Sequence, residues 1–180
     1  MSSVDIAEVS PEQADDFRHF CQLEEQTAYT RPDLGITADL FSREIFDLPE
    51  AVATYAGYTA VTENTRAWMA LDAGGEIVGT VGAKRQKDYC EQNSLYVAPE
   101  LKGHGIGRAL FNHVLEFAGL LPIRVDLVDY MEETRAIYEH WGFVADPSAG
   151  KPGCIWWKYW PEEAQKNFQM TYMFRPGADA

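Results

Sequence analysis

Residues 96–108 read YVAPELKGHGIGR, and they set three glycines, Gly103, Gly105 and Gly107, at alternate positions between an apolar run and a helix-like one. The preceding NSLYV has the content of a buried strand end, and the following ALFNHVLEFAG has apolar residues at helical spacing. The glycines therefore occupy a strand-to-helix turn. A helix N-terminus leaves several backbone N–H groups without intrahelical partners and carries the equivalent of roughly half a positive charge. Glycine admits positive φ and puts no Cβ between those amides and a phosphate. The same spacing also suits an ordinary surface turn, and the context separates the two.

Two other phosphate loops are excluded. A mononucleotide P-loop ends in Gly-Lys-Ser/Thr, whose hydroxyl binds Mg²⁺, and that tripeptide does not occur in the chain. A dinucleotide fingerprint is GxGxxG after a first strand, with an acidic residue about 20 positions further on. Here the glycines run GxGxG past mid-chain, and only Asp126 and Asp129 fall near that distance.

The 180 residues, 46% of them hydrophobic and 13% aromatic, predict a single folded domain over 1–180 rather than a disordered chain. With 28 acidic and 15 basic residues the net charge is −13, which opposes nucleic acid and favours a cationic partner. Cys21, Cys90 and Cys154 form no CxxC pair and suit a reducing compartment without a disulfide framework or a metal site. The opening MSSVDIAEVS has no basic leader and no apolar stretch is long enough for a membrane span, so no membrane association and a cytoplasmic location are expected.

Along the chain, SVDIAEV alternates as a strand. SPEQADDFRHFCQLEEQTA opens a helix with Ser10 as N-cap and Pro11 at the first helical position. TADLFSREIFDLPEAVATYAGYTAVTE predicts one or two helices broken near Pro49. RAWMALD and IVGTVGAKRQ predict a hairpin around a glycine turn. NSLYV, the glycine loop and its helix follow, then PIRVDLV as a strand, EETRAIYEHWGF as a helix, a Pro-Glu-Glu helix start and the alternating FQMTYMF.

That order, with LYVAPELKGHGIGRAL and RAIYEHWGF about 30 residues on, resembles the GNAT superfamily of acyl-CoA-dependent N-acyltransferases. Lys102, Gly105 and Gly107 stand in the defining places of the family's Arg/Gln-x-x-Gly-x-Gly/Ala loop, and Tyr138 precedes Gly142 and Phe143 as the family's tyrosine does. The resemblance implies an α/β (α+β) fold: one GNAT-type domain with a mixed central sheet splayed at the cofactor strand and flanked by helices, its motif-bearing core at about 66–145. It implies acetyl-CoA as cosubstrate, with no metal. The pantetheine arm would pair with the backbone of Leu95, Tyr96 and Val97. The pyrophosphate would lie over Gly103, His104, Gly105, Ile106 and Gly107, with Lys102 and Arg108 as charge partners. Lys102 replaces the family's Arg or Gln and supplies a charge without a bidentate contact. Where the family often has an asparagine, this chain has Met131, so either Thr134 or Glu133 substitutes or that cofactor contact is missing.

The chemistry so implied is transfer of an acetyl group to an amine by direct attack. Tyr138 is the expected acid toward the departing sulfur. For the base, Glu91 shares the strand parity of Asn93, Leu95 and Val97, and ordered water is the alternative. Cys90 has no His or acidic partner at a defensible spacing, and His104 and His113 suit a loop and a helix face better than a metal. A member of the family that binds acyl-CoA as a sensor without turnover is the competing reading. The acceptor, a small-molecule or peptide amine, is expected near 26–46 and 85–91, where Asp33, Asp39, Glu44 and Asp47 favour a cation; the same acids would also serve solubility. CIWWKYW either walls an acceptor pocket or is a strand buried at a homodimer contact, with plain core packing as the default.

Overall fold

The computed structural model describes residues 4–153 and 156–177. Its framework is a seven-stranded mixed sheet. In chain order the strands are β1 (Asp5–Glu8), β2 (Thr65–Leu71), β3 (Ile77–Arg85), β4 (Cys90–Val97), β5 (Ile123–Val128), β6 (Val144–Ala145) and β7 (Met170–Arg175). The helices are α1 (Ala14–Tyr29), α2 (Arg43–Phe46), α3 (Pro49–Tyr58), α4 (Ile106–Ala118), α5 (Glu132–His140) and α6 (Glu162–Asn167). The spatial order β1-β2-β3-β4-β5-β7-β6 makes β4 and β5 the central pair, and theirs is the parallel junction of the sheet.

Each face of the sheet carries its own core. On one face α4 lays down Ile106, Leu110, Phe111, Val114 and Ala118, a stripe at helical spacing, against Val81, Ala83, Val125 and Leu127. Burying each large side chain of that stripe contributes about 1.5–3 kcal/mol. On the other face α1 and α3 meet Ala67 and Met69 through Phe17, Cys21 and Tyr55, and the C-terminal segment adds Trp156, Trp160 and Phe168. At the start of α1, Ser10 and Gln13 form a capping box around the 3₁₀ turn Pro11–Gln13.

The strand bearing the quoted motif is longer than NSLYV and begins at Cys90. Its register with β3 slips between Thr80↔Tyr96 and Gly82↔Asn93, so an extra residue sits on β4 as a bulge. Ser94 lies there at φ +52, and its carbonyl accepts from the Thr80 hydroxyl at 2.9 Å. β4 and β5 pair only at Cys90↔Ile123 and Glu91↔Arg124, so their pairing has already ended before the bulge. β5 meanwhile pairs with β7 from Ile123↔Arg175 to Val128↔Met170. The sheet is therefore continuous at one end of the β4–β5 seam and open at the other.

CIWWKYW does not form a strand: Trp157–Tyr159 is a 3₁₀ turn, and Cys154 and Ile155 lie outside the described residues. The two-residue strand β6, which pairs with β7 at Val144↔Phe174, has no counterpart in the sequence expectation. Among the described residues, no helix is long and apolar enough to cross a membrane.

Candidate active site

Two cavities open onto the β4–β5 seam from opposite faces. The larger, about 450 Å³, lies on the α4–α5 side and reaches the glycine turn. The smaller, about 180 Å³, lies under α1 and α3. They share Tyr29, Leu95, Tyr96, Leu127, Thr134 and Tyr138 as walls, so they meet in the gap left by the departing strands.

At the floor of the larger cavity, Gly103 and Gly105 adopt φ +80 and +85, and a Cβ built on either meets no atom within 4 Å. Gly105 is the N-cap of α4, and no side chain caps it. The first helical bond runs from Ala109 N–H to the Gly105 carbonyl at 2.9 Å. Among the described residues, the N–H groups of Ile106, Gly107 and Arg108 have no backbone acceptor. This is an open anion cradle of amides at the positive end of a 13-residue helix. Lys102 and Arg108 line its rim. The Arg108 guanidinium is steadied over the Trp141 ring at 5.5 Å. Glu24 lines the same cavity, and its carboxyl is raised above the usual range by burial, with Lys102 opposing the shift.

Of the residues expected to hold a cofactor, Leu95, Tyr96, Val97, Lys102, Gly103, Gly105, Ile106, Gly107, Arg108 and Thr134 all line this cavity, as do Met131 and Glu133. His104 does not: it is exposed beside the turn, its Nδ1 3.1 Å from the Lys102 carbonyl oxygen.

Tyr138 stands where the cavities join. It is buried on α5, and the side-chain amide of the fully buried Gln92 donates to its hydroxyl oxygen. Burial pushes the phenol well above its ordinary range, so it stays protonated, and the Gln92 bond only partly opposes this. Because the phenol oxygen accepts from Gln92, its own proton remains free to be donated elsewhere.

The smaller cavity holds two carboxylates that the sequence reading passed over. Glu25, on α1, accepts from the Tyr55 hydroxyl at 2.8 Å. Burial pushes its carboxyl up to about 7, with Tyr55 and Tyr96 pulling back and the Asp126 charge adding to the rise. Asp126, on β5, is also raised, chiefly by burial. Its surface is open to the cavity, yet the surrounding protein limits its hydration. Glu25 had a legible signal, since it continues the buried row Phe17, Cys21 at spacing four, a charged residue where an apolar one belongs.

Glu91 lines neither cavity and sits at the closed end of the seam, paired in register with Arg124. Asp33 and Asp47 are engaged on the surface with Arg31 and with Arg18 and Arg43, and neither they nor Asp39 and Glu44 line either of these two cavities. Trp156, from the aromatic segment, does form part of the smaller cavity's wall. Among the described residues, no group of three or more His, Cys, Asp or Glu is placed to hold a metal ion.

Comparison with known proteins shows what this geometry is similar to. Residues 63–145 match the model of the acetyltransferase (GNAT) domain. An uncharacterised N-acetyltransferase of Escherichia coli strain K12, YjgM, is 27% identical over 93 residues, 48% of this chain and 56% of that relative, so the match spans just over half of its length. The 5-NmdU N-acetyltransferase of Pseudomonas phage PaMx11 is 29% identical over 150 residues, 81% of this chain and 94% of that protein. Among solved structures, the PaiA N-acetyltransferase of Thermoplasma acidophilum in complex with coenzyme A superposes with a TM-score of 0.66 at 16% identity, over 97% of this chain and 99% of that one. The splayed β4–β5 seam and the glycine turn lie inside the matched segment, so the part of this chain that carries the larger cavity is similar to the acetyltransferase (GNAT) domain.

Proposed function

We propose that this protein transfers an acetyl group from acetyl-CoA to a primary amine by direct attack. The observation that carries the reading is the meeting of two cavities at Tyr138, one floored by an anion cradle and the other lined by carboxylates. The larger cavity fits the cofactor on its own features: unpartnered amides at an uncapped helix start, glycines open to a close approach, and two cations at the rim.

In this reading the amides of Gly103, Gly105, Ile106, Gly107 and Arg108 hold the pyrophosphate, and Lys102 and Arg108 add charge. Leu95, Tyr96 and Val97 offer the backbone edge that β5 leaves unpaired, a ready partner for the amide groups of an extended arm. Met131 supplies no hydrogen bond where the family often has an amide, and Thr134 on the same wall has a hydroxyl within the cavity. When bound, acetyl-CoA supplies a thioester whose carbonyl carbon an amine nitrogen can attack. Tyr138 directs its free hydroxyl proton at the sulfur, and Leu95 and Leu127 limit water there. We place the reaction in the cytoplasm.

A sensor that binds acyl-CoA without turnover would have no use for the second cavity, which favours catalysis. Turnover of acetyl-CoA against a panel of primary amines, measured beside a CoA titration, tests the proposal. Release of free thiol with at least one amine is expected. CoA binding with no turnover on any amine supports the sensor, and absence of CoA binding overturns both readings.

A further inference from the structure

We propose that the acceptor enters the smaller cavity as a primary alkylammonium ion held between Glu25 and Asp126, and that Glu25 takes its proton. This deepens the transfer reading and rests on it. Three observations that do not depend on one another lead here. First, the cavity joins the cofactor side at Tyr138, so a nitrogen within it faces the place where the thioester would lie. Second, its described lining contains two carboxylates and no Lys, Arg or His, so nothing in the wall neutralises them. Third, Gln92 is fully buried in the same wall and its Oε1 has no hydrogen-bond partner. A buried, unpartnered acceptor is costly; because this oxygen has almost no accessible surface, a turn of the amide toward the cavity is what would bring it to an ammonium group, which has three donors.

Glu25 is positioned as a base. Tyr55 occupies its Oε1 at 2.8 Å and fixes the carboxylate, and no cation competes for the other oxygen. The ionisable groups facing it are Cys21 and Tyr29 on its own helix, Tyr55 and Tyr58 on α3, Tyr96 on β4 and Asp126 on β5. The cysteine and the tyrosines are all raised by burial and stay neutral near pH 7, so Asp126 is the neighbouring charge. An alkylammonium has a pKa of about 10.4, some six units above an ordinary glutamate. The environment of Glu25, at about 7, closes roughly half of that gap.

The balance is as follows. One proton passes from the ammonium nitrogen to Glu25, and the freed lone pair forms the bond to the acetyl carbon. The carbon–sulfur bond breaks with its electrons on sulfur, which receives the Tyr138 proton. The second nitrogen proton returns to the Tyr138 oxygen, and Glu25 releases its proton to solvent.

The test begins with the CoA-free protein labelled with ¹³C at the glutamate carboxyls, the Glu25 signal being assigned by its loss in Glu25→Gln or, should that variant not fold, by its shift in Glu25→Asp. That signal is expected to titrate near pH 7. Saturation with n-butylamine or putrescine hydrochloride should move its midpoint down by a unit or more, and n-butanol should not. Amine affinity should rise roughly tenfold from pH 5.5 to 8 in the wild type and stay flat in the variant. In turnover, the acidic limb of kcat/KM should vanish in the variant, with kcat/KM at pH 8 down on the order of 100-fold. A Glu25 midpoint in the ordinary carboxylate range, a signal indifferent to every amine, or an acidic limb that survives in Glu25→Gln and disappears in Glu91→Gln overturns the proposal. Loss of CoA binding alone would sink the transfer reading and leave the Glu25 titration standing, since no cofactor enters that measurement.

Discussion

The side-chain amide of Gln92 donates to the hydroxyl oxygen of Tyr138, and this is the one partner either end of that buried amide has among the described residues. Tyr138→Phe therefore does two things at once. On the proposed mechanism the proton offered to the sulfur is lost, so kcat should fall on the order of 100-fold with the CoA dissociation constant unchanged. Gln92 also becomes wholly unpaired, at a cost of about 1–3 kcal/mol in denaturant unfolding. Pairing Tyr138→Phe with Gln92→Met should restore the stability and not the rate. Recovery of both would mean that the hydroxyl acts only by anchoring Gln92.

Gly105→Asp places a carboxylate at the uncapped start of α4, at a position with φ +85. Backbone strain there costs on the order of 1 kcal/mol, which the fold should tolerate. CoA affinity is expected to fall by two orders of magnitude or more, read by calorimetry. A folded variant that binds CoA as the wild type does would remove the cradle from the site.

Glu24 shares the larger cavity with Lys102 and lowers the local potential where an anion is expected. Glu24→Gln should tighten CoA binding about three- to tenfold and free Lys102 for the phosphates. Weaker binding would mean that Glu24 holds Lys102 in its working position.

The raised carboxyl of Glu25 has a thermodynamic signature. The folded protein binds more protons at this site than the unfolded chain between pH 4.5 and about 7, so stability from this group is complete below that window and falls as pH rises through it. Glu25→Gln keeps an acceptor for the Tyr55 hydroxyl and removes the ionisation. It should therefore be more stable than the wild type at pH 8, by on the order of 2 kcal/mol, with the advantage gone at pH 4.5. Chemical unfolding of both proteins at the two pH values measures it.

The glycine turn was legible because its information is local. Positive φ at Gly103 and Gly105 and the stripe from Ile106 to Ala118 follow from neighbouring residues alone. Tyr138 was legible through its spacing from Gly142 and Phe143. The smaller cavity was not, because it is assembled from α1, α3, β4, β5 and the C-terminal segment, and its carboxylates are about 100 residues apart in the chain. Glu91 drew attention by strand parity, but parity carries through a strand only until a bulge. The extra residue near Ser94 puts Asn93 and Tyr96 on one face and Leu95 and Val97 on the other. The aromatic segment misled in another way, since its rings satisfy a strand pattern while Trp160 is held in place by its indole donating to the Leu40 carbonyl at 3.2 Å.

The two closed rungs of the β4–β5 seam make the opening a gauge of fixed depth. Covalent geometry sets it: the strand from Glu91 to Val97 spans roughly 20 Å at about 3.3 Å per residue, with the amide cradle just beyond one end and a hydrogen-bonded stop at the other. Anything anchored in the cradle and threaded along the seam has its far end registered against Tyr138 by length alone. Inserting two residues into β4 beyond the stop would preserve side-chain alternation and the cradle while moving the reacting end by about 7 Å, a misregister that would abolish transfer without loosening the anchor.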